Sequence, residues 1–119
     1  MNICCIAVDD EPLSLRIIEK YAADLPQLEL LATCGNAFEA MEELRRRSVD
    51  LMFLDINMPK LSGISLLKSL DKQPLVVFTP AYPEYAVEGF ELEAVDYLLK
   101  PFSLERFIKA VNRATERLV

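Results

Sequence analysis

Apolar residues follow two rhythms along the chain. Five short segments are dominated by them: Ile3 to Val8, Leu28 to Cys34, Leu51 to Leu54, Leu75 to Thr79 and Val95 to Leu99. Short apolar runs bounded by breakers read as strands, and runs without a polar member read as strands buried on both faces. Between them the spacing becomes helical. Leu13, Ile17, Tyr21 and Leu25 recur as one stripe, widened by Ile18. Phe38, Met41 and Leu44 form a second stripe, and Ile64, Leu67 and Leu70 mark a third helix after Gly63. Tyr85 to Phe90 reads as a short helix beyond Pro80 and Pro83. Leu104, Phe107, Val111 and Leu118 line the core side of the last helix.

The punctuation agrees with this division. Pro12 suits an early helix position, and Pro26 helps end that helix. Gly35 closes the second strand. Asn36 is a candidate N-cap with Glu39 as its capping-box partner three residues on. Arg45 to Arg47 occupy the last turn of that helix, where the dipole favours cations. Ser103 caps the last helix, with Arg106 in place of the usual Glu. Strands and helices therefore alternate five times, and strands apolar on both faces need helices on both sides. Right-handed crossovers then predict an α/β, three-layer, doubly wound parallel sheet. The strand order expected is 2-1-3-4-5, the flavodoxin-like order.

Composition narrows the picture. The 119 residues are 52% hydrophobic, enough for one domain with a substantial core, and the domain is expected to span residues 1–119. Thirteen basic against 19 acidic residues leave a formal net charge of −6, which argues against a direct grip on nucleic acid or an anionic membrane. No apolar run approaches the ~18 residues of a membrane span, and no signal-peptide pattern opens the chain, so a cytoplasmic protein is expected. Cys4, Cys5 and Cys34 lie inside apolar runs and read as small buried hydrophobes in a reducing compartment. The chain has no histidine, which removes His-based triads and the usual zinc sites.

The candidate chemistry lies where strands end. Asp9 and Asp10 follow the first strand and Asp55 follows the third. In the order 2-1-3-4-5 those strands are neighbours flanking the switch point, where open α/β sheets keep their ligands. Three converging carboxylates repel one another unless a hard cation sits between them, and Mg²⁺ suits such oxygen ligands. Lys100, ending the fifth strand, can reach the same pocket as a point charge for phosphate. Thr79, ending the fourth, offers a hydroxyl. Asp55 is then a phosphate acceptor. No Gly-rich phosphate loop exists, which argues against nucleotide binding. Taken singly, each feature has a plainer explanation: an acidic pair before a helix suits the dipole, and a lone Asp after a strand is commonly a turn residue. Their coincidence on three strand ends favours a site.

At these residues the chain resembles a response-regulator receiver domain of two-component signalling. The motifs are VDDEP (Val8–Pro12), LDINMPKLSG (Leu54–Gly63), FTPAY (Phe78–Tyr82) and VDYLLKPF (Val95–Phe102). CGNAFEA (Cys34–Ala40) and YPEYAVEGFELEAVDYLLKPF resemble the branch that precedes a LytTR-type DNA-binding domain, a domain absent from these residues. The resemblance implies that Asp55 accepts a phosphoryl group from a sensor histidine kinase. It implies that Asp10 binds Mg²⁺ directly with Asp9 assisting, and that Asn57 offers its backbone carbonyl to the metal. Lys100 matches the phosphate lysine, Pro101 the proline after a cis peptide bond, and Tyr97 the switch aromatic. It implies a phosphorylation-driven switch that assists its own phosphoryl transfer and dephosphorylation. The output would be homodimerisation through the fourth helix, fifth strand and last helix, and control of transcription through an attached domain.

One departure stands out. The family's switch hydroxyl normally occupies the position before Ala81, and here Pro80 stands there, preceded by Thr79. Either Thr79 substitutes or that arm of the switch is missing. Two other functions compete. A phosphohydrolase of the haloacid-dehalogenase kind also uses a strand-end aspartate, but favours a carboxylate two residues later, where this chain has Asn57. A degenerate, phosphorylation-independent module has Pro80 as its only support. On the outer surface, Glu84, Glu88, Glu91, Glu93 and Asp96 form an acidic strip, and Arg106, Lys109, Arg113 and Arg117 share one face of the last helix. The two strips are either solvated faces with local pairs or the halves of a two-fold interface.

Overall fold

A computed structural model describes residues 2–83 and 93–118. Its elements are β1 (Ile3–Val8), α1 (Pro12–Ala23), β2 (Leu28–Cys34), α2 (Ala37–Arg46), β3 (Leu51–Leu54), α3 (Gly63–Ser69), β4 (Leu75–Phe78), β5 (Asp96–Tyr97) and a C-terminal helix, Leu104–Leu118. All four strand pairings are parallel, in the order β2-β1-β3-β4-β5. The doubly wound sheet expected from the sequence is therefore the one observed. The helix proposed for Tyr85 to Phe90 lies outside the described residues.

Alternation along the strands divides the core into two. Ile3, Cys5 and Ala7 of β1, Leu51 and Phe53 of β3, and Val77 of β4 face α1 and the C-terminal helix. Ile6 and Val8, Met52 and Leu54, and Val76 and Phe78 face α2 and α3. A one-residue slip of any central strand would exchange these sets, so packing on both faces pins the register. Phe53 stacks on Phe107 of the C-terminal helix with centroids 5.0 Å apart, and truncating such a buried ring costs about 3–5 kcal/mol.

Register also aligns the strand ends. Val8, Leu54, Phe78 and Tyr97 are lateral partners across four strands. The next residues continue the line: Asp55 N donates to Val8 O at 2.9 Å, Thr79 N to Leu54 O at 2.9 Å and Leu98 N to Phe78 O at 2.8 Å. Asp9, Asp55 and Thr79 thus leave the sheet side by side.

The helix caps follow the sequence. Asn36 Oδ1 accepts from Glu39 N at 2.9 Å, while Glu39 Oε1 accepts from Gly35 N at 2.9 Å, a reciprocal cap. Ser103 Oγ accepts from Arg106 N at 3.1 Å. Pro12 stands in the first turn of α1.

Four expectations need correction. Phe38 is 54% exposed and Leu13 is 66% exposed, although each was assigned to a core stripe. Alanines take the close positions instead: Ala37 and Ala40 in α2, Ala22 beside Ile18 in α1. A small residue lets the helix axis approach the sheet, and the large neighbours are displaced to its flanks. The fifth strand is two residues long rather than five, because Leu98 and Leu99 already turn toward the Lys100–Pro101 peptide, and Leu99 is 45% exposed. Cys5 and Cys34 are buried, but Cys4 is only half-buried, its thiol facing Glu29 Oε2 at 3.4 Å on the edge strand.

Candidate functional site

β3 is buried along its whole length and β1 at every residue but Cys4, and the two stop together. A strand with no polar residue cannot continue into solvent, so its first polar residue emerges at the sheet edge. That residue is Asp9 on β1 and Asp55 on β3. Asp9 and Asp55 are 0% and 3% exposed, and Asp10 is exposed. One carboxylate oxygen from each of Asp9, Asp10 and Asp55 lies within 4.8 Å of the others. Asp9 Oδ1 accepts from Glu11 N at 2.9 Å, and Asp55 Oδ1 accepts from Ile56 N at 2.9 Å.

Lys100 enters from the end of β5, with its side chain 13% exposed. Its Nζ lies 2.7 Å from Asp9 Oδ2, 3.0 Å from Glu11 Oε1 and 3.5 Å from Asp55 Oδ1. The backbone N of Lys100 donates to Pro80 O at 3.0 Å, which ties the ends of β4 and β5 together. The Lys100–Pro101 peptide bond is cis.

One cation among four carboxylates leaves the site electrostatically unbalanced. Burial pushes the Asp55 carboxyl up, the Asp9 charge pushes it further, Lys100 opposes them, and Asp10 adds to the rise, bringing its pKa to about 7. Burial of Lys100 alone would lower its ammonium's pKa, but the bonds to Asp9 and Glu11 outweigh that, and it is raised. Excess negative charge with hard oxygen donors is the environment a divalent cation completes. The donor set fits one: Asp9, Asp10 and Asp55 present oxygens, and Asn57 lines the same cleft.

That cleft is about 240 Å³ and open to solvent, lined by Asp10, Glu11, Asp55, Asn57, Ala81, Tyr82 and Lys100. It is smaller than the ~300–1,000 Å³ of ordinary small-molecule sites. Its size is in keeping with a small group such as a phosphoryl. Tyr82 and Glu11 were not among the sequence candidates. Glu11 had a visible signal, as the third acid of the Asp9–Asp10–Glu11 run. Tyr82 had none beyond its place after Ala81.

The remaining candidates sit around this cleft. Tyr97 is half-buried, stacked on Phe78 at 6.0 Å between centroids. Thr79 is 1% exposed, does not line the cleft, and its Oγ1 has no hydrogen-bond partner among the described residues. Pro80 is buried too.

A second cluster lies at the other end of β5. Asp96 is 5% exposed. Arg106 grips it with two bonds, Nη1 to Oδ2 at 2.8 Å and Nη2 to Oδ1 at 2.6 Å, and Arg113 Nη1 adds a contact to Oδ2 at 2.9 Å. Asp96 and the two arginines, assigned from sequence to opposing surface strips, pair within the chain. Glu84, Glu88 and Glu91 of the acidic strip lie outside the described residues.

Residues 5–112 match the model of the response regulator receiver domain. The chain is 42% identical over 117 residues to an uncharacterized response regulatory protein of Vibrio cholerae, covering 95% of this chain and 45% of that protein. It is 37% identical over 116 residues to the sensory transduction protein LytR of Staphylococcus haemolyticus, covering 95% and 45%. The crystal structure of the response regulatory domain of mrkE from Klebsiella pneumoniae superposes with a TM-score of 0.86 at 34% identity, over 97% of each chain. The chain thus spans about half the length of the curated relatives it matches. No described helix is long and apolar enough to cross a membrane.

Proposed function

The chain belongs to the response-regulator receiver family, and on that premise we propose that Asp55 accepts a phosphoryl group from the phosphohistidine of a sensor kinase in the presence of Mg²⁺. One observation carries this reading: Asp9, Asp10 and Asp55 converge within 4.8 Å beside an ammonium 3.5 Å from the acceptor. An Asp55 carboxylate oxygen attacks phosphorus, the P–N bond to the imidazole breaks, and its electron pair leaves on the ring nitrogen, which solvent protonates. Bound Mg²⁺ would supply Lewis-acid stabilisation of charge on the transferring group. Asp10, Asp55 and the Asn57 carbonyl would hold it, with Asp9 assisting. Lys100 would neutralise a phosphoryl oxygen, and the hydrogen bond from Ile56 N orients the acceptor.

The phosphorylated state would draw the ends of β4 and β5 inward, since Lys100 N and Pro80 O already link them. Tyr97 is the aromatic that would report this movement, Pro101 fixes the approach of Lys100, and Thr79 is a secondary contributor. The output would be association of two copies through the face carrying β5 and the C-terminal helix, and control of transcription through a LytTR-type domain in the longer protein. In the cytoplasm such a switch would meet its kinase.

Acetyl phosphate with Mg²⁺ tests the reading. The parent should gain one labile phosphoryl mass, and Asp55→Asn should gain none. An adduct of equal yield on Asp55→Asn would sink the assignment. Steady release of phosphate without an adduct would favour a phosphohydrolase instead, and neither result would leave a phosphorylation-independent module.

A further inference from the structure

Glu11 occupies the N-cap position of α1 but does not cap it. Its backbone is extended, at φ −95° and ψ 112°, and its side chain makes no bond to the helix N-terminus. An acceptor at this position normally satisfies a backbone N–H of the first turn. Here the carboxylate turns away and accepts from Lys100 Nζ at 3.0 Å, across 89 residues of sequence. The chain gives up a local cap for a contact with the lysine of the acceptor site.

The ammonium lies to one side of the acceptor. Lys100 Nζ is 2.7 Å from Asp9 and 3.0 Å from Glu11, but 3.5 Å from Asp55, so it rests on the α1 side of the cleft. A phosphoryl group arriving on Asp55 needs that charge on its own oxygens. Asp9 is fully buried and cannot move far. Glu11, with its side chain 62% exposed, is the partner that can let go.

Glu11 also borders two cavities. It lines the acceptor cleft with Asp55 and Lys100, and it lines an apolar groove with Leu13, Ile17 and Phe102 between α1 and the segment after β5. A lysine that leaves Glu11 for a phosphoryl oxygen leaves an unpaired carboxylate on that groove.

Resting on the acceptor role of Asp55, we infer that Glu11 is a positioning residue that holds Lys100 off the acceptor in the unphosphorylated state, and so restrains phosphoryl transfer to Asp55. In this role Glu11 acts through its ion pair with Lys100. The restraint is modest, because an ion pair with one exposed partner is worth a factor of about two to five.

The experiment is single-turnover adduct formation with acetyl phosphate at saturating Mg²⁺, over a range of donor concentrations. It compares the parent, Glu11→Gln, Lys100→Gln and the double variant. Glu11→Gln should raise the limiting rate constant about two- to fivefold and leave the half-saturating donor concentration nearly unchanged. In the Lys100→Gln background the same substitution should have no effect, which is the signature of action through that lysine. A change only in half-saturation, or an equal acceleration with and without Lys100, would mean that Glu11 acts as a general surface charge, and overturns the inference. So would an unchanged limiting rate. An adduct on none of the four chains would instead overturn the acceptor role of Asp55, so the two failures are distinguishable.

Discussion

Asp55 and Asp96 are the same residue type, both lie at the sheet, and both are almost fully buried, 3% and 5% exposed. Their carboxyls are nevertheless driven in opposite directions. Asp55 is raised to about 7 by burial and by Asp9, with one lysine shared among three acids to oppose the rise. Burial would raise Asp96 as well, but the two bonds from Arg106, the hydrogen bond from Tyr97 N at 2.8 Å and the charge of Arg113 outweigh it, and its pKa is lowered. Burial cost is thus common to both, and stoichiometry of charge decides the sign. Asp96 is a completed structural cluster. Asp55 is left short of positive charge, which is the condition of a site that binds something.

The sharpest way to break this contrast is to remove each acid in turn. Asp96→Ala strands two arginines and an N–H of β5. Both guanidiniums are more than one-third exposed, at 37% and 45%, so water offsets part of the loss. The expected destabilisation is about 2–3 kcal/mol, read by urea unfolding. A loss under ~0.5 kcal/mol would show that the cluster is decorative.

Asp55→Asn should do the reverse without metal. An acid whose folded pKa is raised contributes stability that is fully present below its unfolded value and is lost as pH rises through the folded one, here about 7. The parent should therefore lose stability from about pH 4 to 8, and Asp55→Asn should lose less. The variant should be more stable by on the order of 1–2 kcal/mol at pH 8, with the gap closing toward pH 4. Asp96 has the opposite sign, since its lowered pKa gives stability above the unfolded value that is lost in acid. Parallel pH profiles for parent and Asp55→Asn in metal-free urea titrations would contradict the assigned imbalance.

The smallest effects concern the end of β4. The Thr79 hydroxyl is buried and without a partner among the described residues, so Thr79→Val should leave unphosphorylated stability within about 0.5 kcal/mol of the parent. It should reduce phosphorylation-dependent association only modestly, whereas Pro80→Thr should strengthen it, both followed by sedimentation. No gain in Pro80→Thr would mean that position 80 is not where this chain needs a hydroxyl. No phosphorylation-dependent association in the parent would remove the dimer from the proposal.

The sequence made the sheet legible because its central strands are apolar on both faces and end abruptly at acids. Asp9, Asp10, Asp55 and Lys100 follow directly from that, since strand order alone brings their ends together. Side chains on helices were harder. Phe38 and Leu13 fit a 3.6-residue stripe as well as Ala37 and Ala22 do, and only the closeness of helix to sheet decides that the small residues go inward. Asp96 was assigned to the surface because it follows a run of glutamates, Glu84, Glu88, Glu91 and Glu93. Its burial depends on Arg106 and Arg113, two turns of helix apart and beyond the loop. Their seven-residue spacing was a signal that both could face one acid. Glu11 had no role assigned from the sequence, and nothing local indicates that it reaches Lys100.

Gly63 has a further consequence for how the acceptor is aimed. A methyl group at this first residue of α3 would lie 2.0 Å from the carbonyl oxygen of Asp55 and 3.0 Å from Leu54 Cγ. Its N–H also donates to Ile56 O at 2.8 Å. The intervening loop is therefore a yoke whose two ends are clamped together, with a missing carbon as the bearing surface. A change of side chain at the exposed Pro59 or Lys60 can be absorbed without reaching the clamp, although Met58 before them is buried in the core. A single added carbon at position 63 cannot, because it displaces the backbone that carries the acceptor carboxylate. The tolerance of this loop thus stops at one atom, which stands eight residues away from the group it protects.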